Sequence, residues 1–168
     1  HYWGMHLAHL GLAVFVIGVA LSKGYESEKE VRMAPGETLT IGDYGLRMVS
    51  LREAPGPNYN AVIADIELTR DGKVLGILRP EKRNYLSSEM PMTEAAIDPG
   101  LTRDIYVAIG EPLGGGAWSV RAHVKPFVDW IWGGCLLMAF GGLLALLDRR
   151  YRAAARATAG EAVAAARA

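Results

Sequence analysis

The sequence predicts a membrane protein in which two transmembrane α-helices flank a small all-β domain, a sandwich or a partly open barrel. Three observations carry this. Residues 2–21 read YWGMHLAHLGLAVFVIGVAL, with no Asp, Glu, Lys or Arg, about the length needed to cross a bilayer's hydrocarbon core. Residues 127–147, FVDWIWGGCLLMAFGGLLALL, are a second apolar run of similar length. Between them the chain is charged and polar, and its apolar residues alternate at period two, as in strands with one buried face. The implied division is a transmembrane helix at 2–22, a β domain at 23–125, a second transmembrane helix at 126–148 and a basic tail at 149–168.

The first run holds two histidines, His6 and His9, one helical turn apart. An imidazole is costly to desolvate in a bilayer, so an ionisable residue there is a candidate functional site. Three readings are open for each: a ligand, a hydrogen bond to a neighbouring helix, or a side chain reaching the interface. Gly4, Ala8, Gly11 and Gly18 form a stripe of small residues along which another helix can pack closely, and His9 is read as lying next to it. The run lacks the basic start and the A-x-A-like end of a signal peptide. Because the chain opens on a histidine inside an apolar segment, it is expected to be part of a longer protein, with further walls of any site upstream.

After Ser22 the composition changes to KGYESEKEVRMAPGETLTIGDYG. About 100 residues is too long for a structureless connection, so a folded domain is expected. In residues 61–69, Val62, Ala64, Ile66 and Leu68 alternate with Ile63, Asp65, Glu67 and Thr69. Arg70-Asp71-Gly72-Lys73 follows, and Asp-Gly between two such runs signals a hairpin with a type I′ turn, with residues 73–79 as the returning strand. Residues 46–53 and 118–124 alternate too, and 30–33, 39–41 and 105–109 are weaker strands. Pro-Gly and Gly-rich breaks at 34–36, 55–57, 98–100 and 114–116 separate them. Thr93, Glu94 and Asp98, between Pro91 and Pro99, are read as shaping a partner-facing loop or capping turns.

In the second run, Trp130 and Trp132 fit an interfacial aromatic belt, and Gly134, Gly141, Gly142 and Ala145 suggest close helix contacts. From Arg149 onward there are five arginines and one glutamate. Such an excess beside a membrane helix marks the cytoplasmic side, which places the β domain outside, in the periplasm of a bacterium.

With 18 basic and 18 acidic residues the net charge is zero, which argues against nucleic acid as a partner. Cys135 stands alone and can form neither an intrachain disulfide nor a CxxC pair. In the β domain the only histidine is His123, and no acid–base or nucleophile set is specific. Met48, Met90 and Met92 read as core filler rather than metal ligands. No helix follows Gly114-Gly115-Gly116, so no phosphate-cradling loop is present.

The order of these features resembles the C-terminal region of the CcmF family of cytochrome c-type biogenesis proteins. The resemblance is carried by Trp3-Gly4-Met5, Ala8-His9-Leu10-Gly11, Val31-Arg32-Met33, Asn58, Thr69-Arg70-Asp71-Gly72 and Glu81-Lys82-Arg83. It continues through Met92-Thr93-Glu94-Ala95-Ala96-Ile97-Asp98, Thr102-Arg103-Asp104, Lys125-Pro126-Phe127, Trp130-Ile131-Trp132 and Arg150-Tyr151-Arg152. It implies that His9 is an axial iron ligand of a b-type haem held between membrane helices, with the second ligand and a tryptophan-rich haem-handling segment upstream. It does not extend that role to His6, and Trp130-Ile131-Trp132 is not the tryptophan-rich segment. It further implies a haem lyase complex that joins haem to the CxxCH cysteines of apocytochrome c outside the membrane. Other maturation subunits, apocytochrome c and membrane lipid are the implied partners, in the bacterial inner membrane. A second reading, from a different class, is a structural or docking module whose two anchors display a partner-binding β domain without its own cofactor. A transporter is disfavoured by the absence of interrupted helices and repeats.

Overall fold

The computed structural model describes residues 3–88 and 90–147; the basic tail at 149–168 lies outside the described residues. Two helices, α1 (Trp3–Gly24) and α2 (Val128–Leu147), enclose ten strands in the sequence. Both helices are long and apolar enough to cross a membrane. The chain forms two compact units, one holding the helices and the other spanning Leu21–Phe127.

The strands are β1 (Ser27–Met33), β2 (Thr38–Ile41), β3 (Tyr44–Pro55), β4 (Tyr59–Arg70), β5 (Lys73–Leu78), β6 (Glu81–Tyr85), β7 (Met92–Glu94), β8 (Ala96–Asp98), β9 (Arg103–Gly114) and β10 (Ala117–Pro126). They form two antiparallel sheets, so of the two architectures left open by the sequence the domain is the sandwich. One sheet runs β1-β10-β9-β8 and the other β2-β3-β4-β6-β7, with β5 also on β4. The inner faces bury Met33, Ile41, Leu46, Met48, Ile66, Leu68, Ile105, Val107, Ile109 and Val120 almost completely. These are the apolar positions of the period-two pattern, so local alternation and the global core agree.

The centre of the second sheet is β4. Its first half pairs with β6 (Ile63↔Glu81) and its second half with β5 (Ile66↔Leu78), while β3 runs along its other side. Between β5 and β6 the chain passes through the buried Pro80, whose carbonyl accepts the Ala64 N–H at 3.1 Å. Ala64, Ile66 and Leu68 face the core as the pattern predicts, but Ala61 and Ile63 are buried too. The simple alternation therefore fails in the first half of the strand, where both faces are covered.

The Asp-Gly hairpin is present, with φ of 50° at Asp71 and 73° at Gly72. Both central residues are left-handed, as a type I′ turn requires. The three glycines 114–116 likewise all have positive φ and link β9 to β10. At the other end of β10, Phe127 has φ 57° and donates its N–H to the Thr102 carbonyl at 3.1 Å.

Residues 92–98 differ from the expected loop. Met92–Glu94 is the edge strand of one sheet and Ala96–Asp98 the edge strand of the other, so this segment crosses between the sheets. The three residues expected to face a partner have partners within the domain. Thr93 Oγ1 accepts from Lys82 Nζ at 3.2 Å, and Glu94 pairs with Arg83 at 3.4 Å. Asp98 pairs with Arg103, which also donates to the Tyr44 hydroxyl at 2.8 Å and stacks over its ring. Tyr44 is on β3 and Arg103 on β9, so this contact links the two sheets. Short strands of three residues carry too little periodicity to be seen in sequence.

Candidate functional site

Within the helical unit, α1 and α2 run antiparallel with their glycines face to face. A Cβ on Gly11 would lie 2.6 Å from Met138 N and 2.8 Å from the Gly134 carbonyl oxygen. One on Gly4 would lie 2.8 Å from Ala145 N, and one on Gly18 2.9 Å from Ile131 N. Gly134 and Gly141 meet Phe15 and Ala8 backbone in the same way. The spacing of seven on both helices keeps one seam in register along their length. The small stripe read from the sequence is therefore the α1–α2 contact.

This relocates His9. A helix turns about 100° per residue, so His9 lies about 160° around α1 from Gly11. It is not beside the packing stripe, contrary to the reading from sequence, but on the exposed side of α1. The sequence showed the stripe but could not show which helix filled it. Nδ1 of His9 is 2.7 Å from the Met5 carbonyl oxygen, one turn back. A carbonyl only accepts, so Nδ1 carries the proton and a neutral ring keeps its lone pair on Nε2. This is the tautomer in which imidazole ligates a metal while its other nitrogen is oriented by a carbonyl. His6 is exposed on the same side of the helix, about 60° from His9.

Among the described residues no group of three or more His, Cys, Asp or Glu side chains is placed to hold a metal ion. Where β1 and β10 pair, the side chains form a ladder. Glu30 accepts from Arg121 at 2.7 Å, Glu28 faces His123 at 3.7 Å, and Glu26 lies 3.1 Å from Lys125. The sequence carried the signal, acids at 26, 28 and 30 and Arg121, His123 and Lys125 at matching spacing, but only the register Glu28↔His123 brings the two columns together. The bond from Lys125 is the main reason the Glu26 carboxyl is held below its ordinary value of 4.5. A depressed carboxyl contributes stability that is complete above its unfolded pKa and disappears as the pH falls through the folded one. The Glu26→Gln variant should therefore unfold more easily than the wild type at pH 7, and the two should converge as the pH falls below the ordinary carboxyl value and through the lowered folded one. Thermal unfolding across this range checks the sign; a constant difference would mean that Glu26 acts through packing and not through its charge.

Two apolar helices that precede and follow an antiparallel β-sandwich in the sequence define a class of membrane-anchored β-sandwich proteins. The chain belongs to the CcmF family: the model described as the CcmF C-terminal beta-sandwich matches residues 24–126. It is 55% identical over 151 residues to the cytochrome c-type biogenesis protein CcmF of Pseudomonas aeruginosa, covering 90% of this chain and 23% of that protein. It is 52% identical to the CcmF of Escherichia coli, again over 90% of this chain and 23% of that protein. The cytochrome c-type biogenesis protein ccl1 of Rhodobacter capsulatus is 49% identical over 167 residues, 97% of this chain and 25% of the relative. A solved structure of a cytochrome c heme lyase CcmF shares the fold, with a TM-score of 0.73 at 23% identity over 86% of this chain and 24% of that one. The chain thus spans about a quarter of the length of these relatives, and corresponds to the C-terminal region of CcmF.

Proposed function

We propose that the chain is the C-terminal part of a haem lyase subunit in cytochrome c maturation, and that His9 supplies one axial ligand to a b-type haem in the membrane. The observation that carries this is the His9 imidazole itself. It stands on the side of α1 that α2 leaves open, exposed, with Nδ1 tied to the Met5 carbonyl. On a membrane helix an imidazole facing lipid is costly, so this side is best matched by further protein and a ligand. His9 would hold the iron through its unprotonated nitrogen, and in this reading the rest of the site is supplied from beyond this chain.

When bound, a haem here supplies electron-transfer chemistry whose potential is set by its axial ligands and the polarity around them. The chain's own part is to hold. The glycine seam fixes α1 on α2, Met5 fixes the tautomer of His9, and the apolar helix surface excludes water. The β-sandwich serves as a binding surface for the other maturation subunits and for apocytochrome c, whose CxxCH cysteines receive haem outside the membrane. In this reading 2–22 and 126–148 span the bacterial inner membrane, 23–125 lies in the periplasm and 149–168 in the cytoplasm. The arginines 149, 150 and 152 support that orientation, and the neutral overall charge gives no support to a nucleic-acid partner.

The test is the absorption spectrum of the full-length protein purified from the membrane. A Soret band with the sharp α band of a six-coordinate, bis-histidine haem is expected. A protein without bound haem that still supports maturation would overturn the cofactor assignment and favour the docking module. A reporter active only in the periplasm, fused within residues 114–116, should be active and one fused after residue 152 silent; the reverse would overturn the orientation.

A further inference from the structure

The inner face of the second sheet runs on past the core. Along β4 it passes from the fully buried Ala64 to Val62, partly buried against the core, and then to the exposed Asn60. Pairing carries the same change into the neighbouring strands. Val62 stands between Glu53 of β3 and Lys82 of β6, and Asn60 between Pro55 and Asn84. Directly opposed residues of antiparallel strands share a face, so all six belong to the inner one. The first sheet reaches this level through a single bond, from the buried Lys82 to Glu111 of β9 at 2.9 Å. Beyond it, Glu53, Asn60 and Asn84 are exposed.

What remains is a cleft of about 260 Å³, lined by Glu53, Pro55, Asn60, Val62 and Asn84 among others. It is smaller than the roughly 300–1,000 Å³ of sites for whole small molecules, and its size suits one side chain. Its polar groups are unused. Among the described residues the side chains of Glu53, Asn60 and Asn84 make no hydrogen bond, and Glu53 makes no ion pair. Arg52, next in the chain, is on the opposite face, 3.6 Å from Asp65. Lys82 brings no uncompensated charge, because Glu111 matches it. The cleft therefore offers one unneutralised carboxylate and two carboxamide oxygens.

A carboxylate only accepts hydrogen bonds, and a carboxamide oxygen accepts two. Asn60 and Asn84 are directly opposed, about 5 Å apart, and Glu53 is the diagonal neighbour of Asn60, about 7–8 Å away. Acceptors spread over this distance suit a flat cation with several donors. A guanidinium has five N–H donors in one rigid plane, whereas an ammonium is a compact charge with three.

We propose that this cleft holds an arginine side chain of a partner protein, with its guanidinium between Glu53 and the two asparagines and its aliphatic stem on Pro55 and Val62. The inference rests on the reading of the sandwich as a surface for other proteins, and gives that surface one contact of defined chemistry. Charge complementarity selects the occupant. A neutral group, such as a sugar hydroxyl, would satisfy the amides and leave the carboxylate unneutralised.

The probe is a capped Gly-Arg-Gly peptide, titrated to about 10 mM against the full chain in zwitterionic detergent. Binding is followed by the backbone amide resonances of residues 53, 60, 62 and 84, and saturable shifts are expected. A hydrogen bond to a charged group is worth about tenfold or more, so Glu53→Gln should weaken binding at least tenfold. Peptides with lysine or citrulline in place of arginine should bind more weakly by a similar factor. Asn84→Asp adds a carboxylate and should tighten the arginine peptide. Both substitutions change exposed side chains only, so the core is left intact. No saturable shift, equal binding of either control peptide, or full affinity in Glu53→Gln would overturn the proposal, as would weaker binding in Asn84→Asp. Co-purification of the other maturation subunits with the full-length protein tests the wider reading. Their retention without peptide binding would overturn the arginine contact alone, and the loss of both would overturn the partner-binding role as well.

Discussion

Alanine at His9 in the full-length protein should lower bound haem and cytochrome c maturation together, each by more than about tenfold. Changes that merely disturb the partners of a metal ligand already cost about 10–100-fold in affinity, and this one removes the ligand. The Met5 carbonyl would lose its side-chain donor, but its helical N–H partner remains, so α1 should keep its shape. Water in an apolar pocket is a poor substitute for imidazole, and added imidazole should partly restore both haem and maturation by filling the space. His6→Ala, about 60° around the helix, should change haem content little. Normal haem in His9→Ala, or equal loss in His6→Ala, would show that the wrong histidine is named. The haem absorbance of the purified variants separates these outcomes from a general loss of protein.

The Gly134→Ala/Gly141→Ala double variant should pull the two helices apart. A Cβ at Gly134 would lie 2.5 Å from Phe15 N and 2.7 Å from the Gly11 carbonyl oxygen, and one at Gly141 would lie 2.7 Å from the Gly4 carbonyl oxygen. These neighbours are backbone and cannot swing aside, so the axes must separate and lose packing along the seam. Overpacking of this kind costs about 1–3 kcal/mol per site. At Gly133 and Gly142, one residue away on the same helix, a Cβ would meet nothing within 4 Å. Gly133→Ala/Gly142→Ala should therefore be within about 0.5 kcal/mol of the wild type, since substitutions away from packed features usually are. Unfolding of this chain by SDS in mixed micelles measures both pairs. Equal effects from the two would mean that helix propensity, not the close approach, governs.

How far local sequence reaches can be judged from particular residues. The Asp71-Gly72 turn was legible because left-handed φ at two successive positions is a local property, and those residues tolerate it. Ile66 and Leu68 were legible as core because a strand with one covered face alternates. Ile63 was not, since burial of the outer face depends on neighbouring strands. β7 and β8 were missed for the same reason. Three residues hold no period, and Thr93, Glu94 and Asp98 looked like loop residues until their partners Lys82, Arg83 and Arg103 were brought in from elsewhere in the chain.

By itself the sequence determined the order of two apolar helices around an all-β domain, since hydrophobic runs and period-two alternation depend on neighbours along the chain. It also determined the small stripe on α1 and the presence of a histidine in an uncharged span, and the strings that carry the family resemblance. Only the tertiary structure decided that the stripe is filled by α2, and that His9 consequently faces away from it. The division of the strands into two sheets was likewise decided there, as was the setting of Glu53, Asn60 and Asn84 around one cleft. Each of these depends on residues distant in the chain: the facing glycines of two helices, or strand registers that a shift of one residue would turn to the other face.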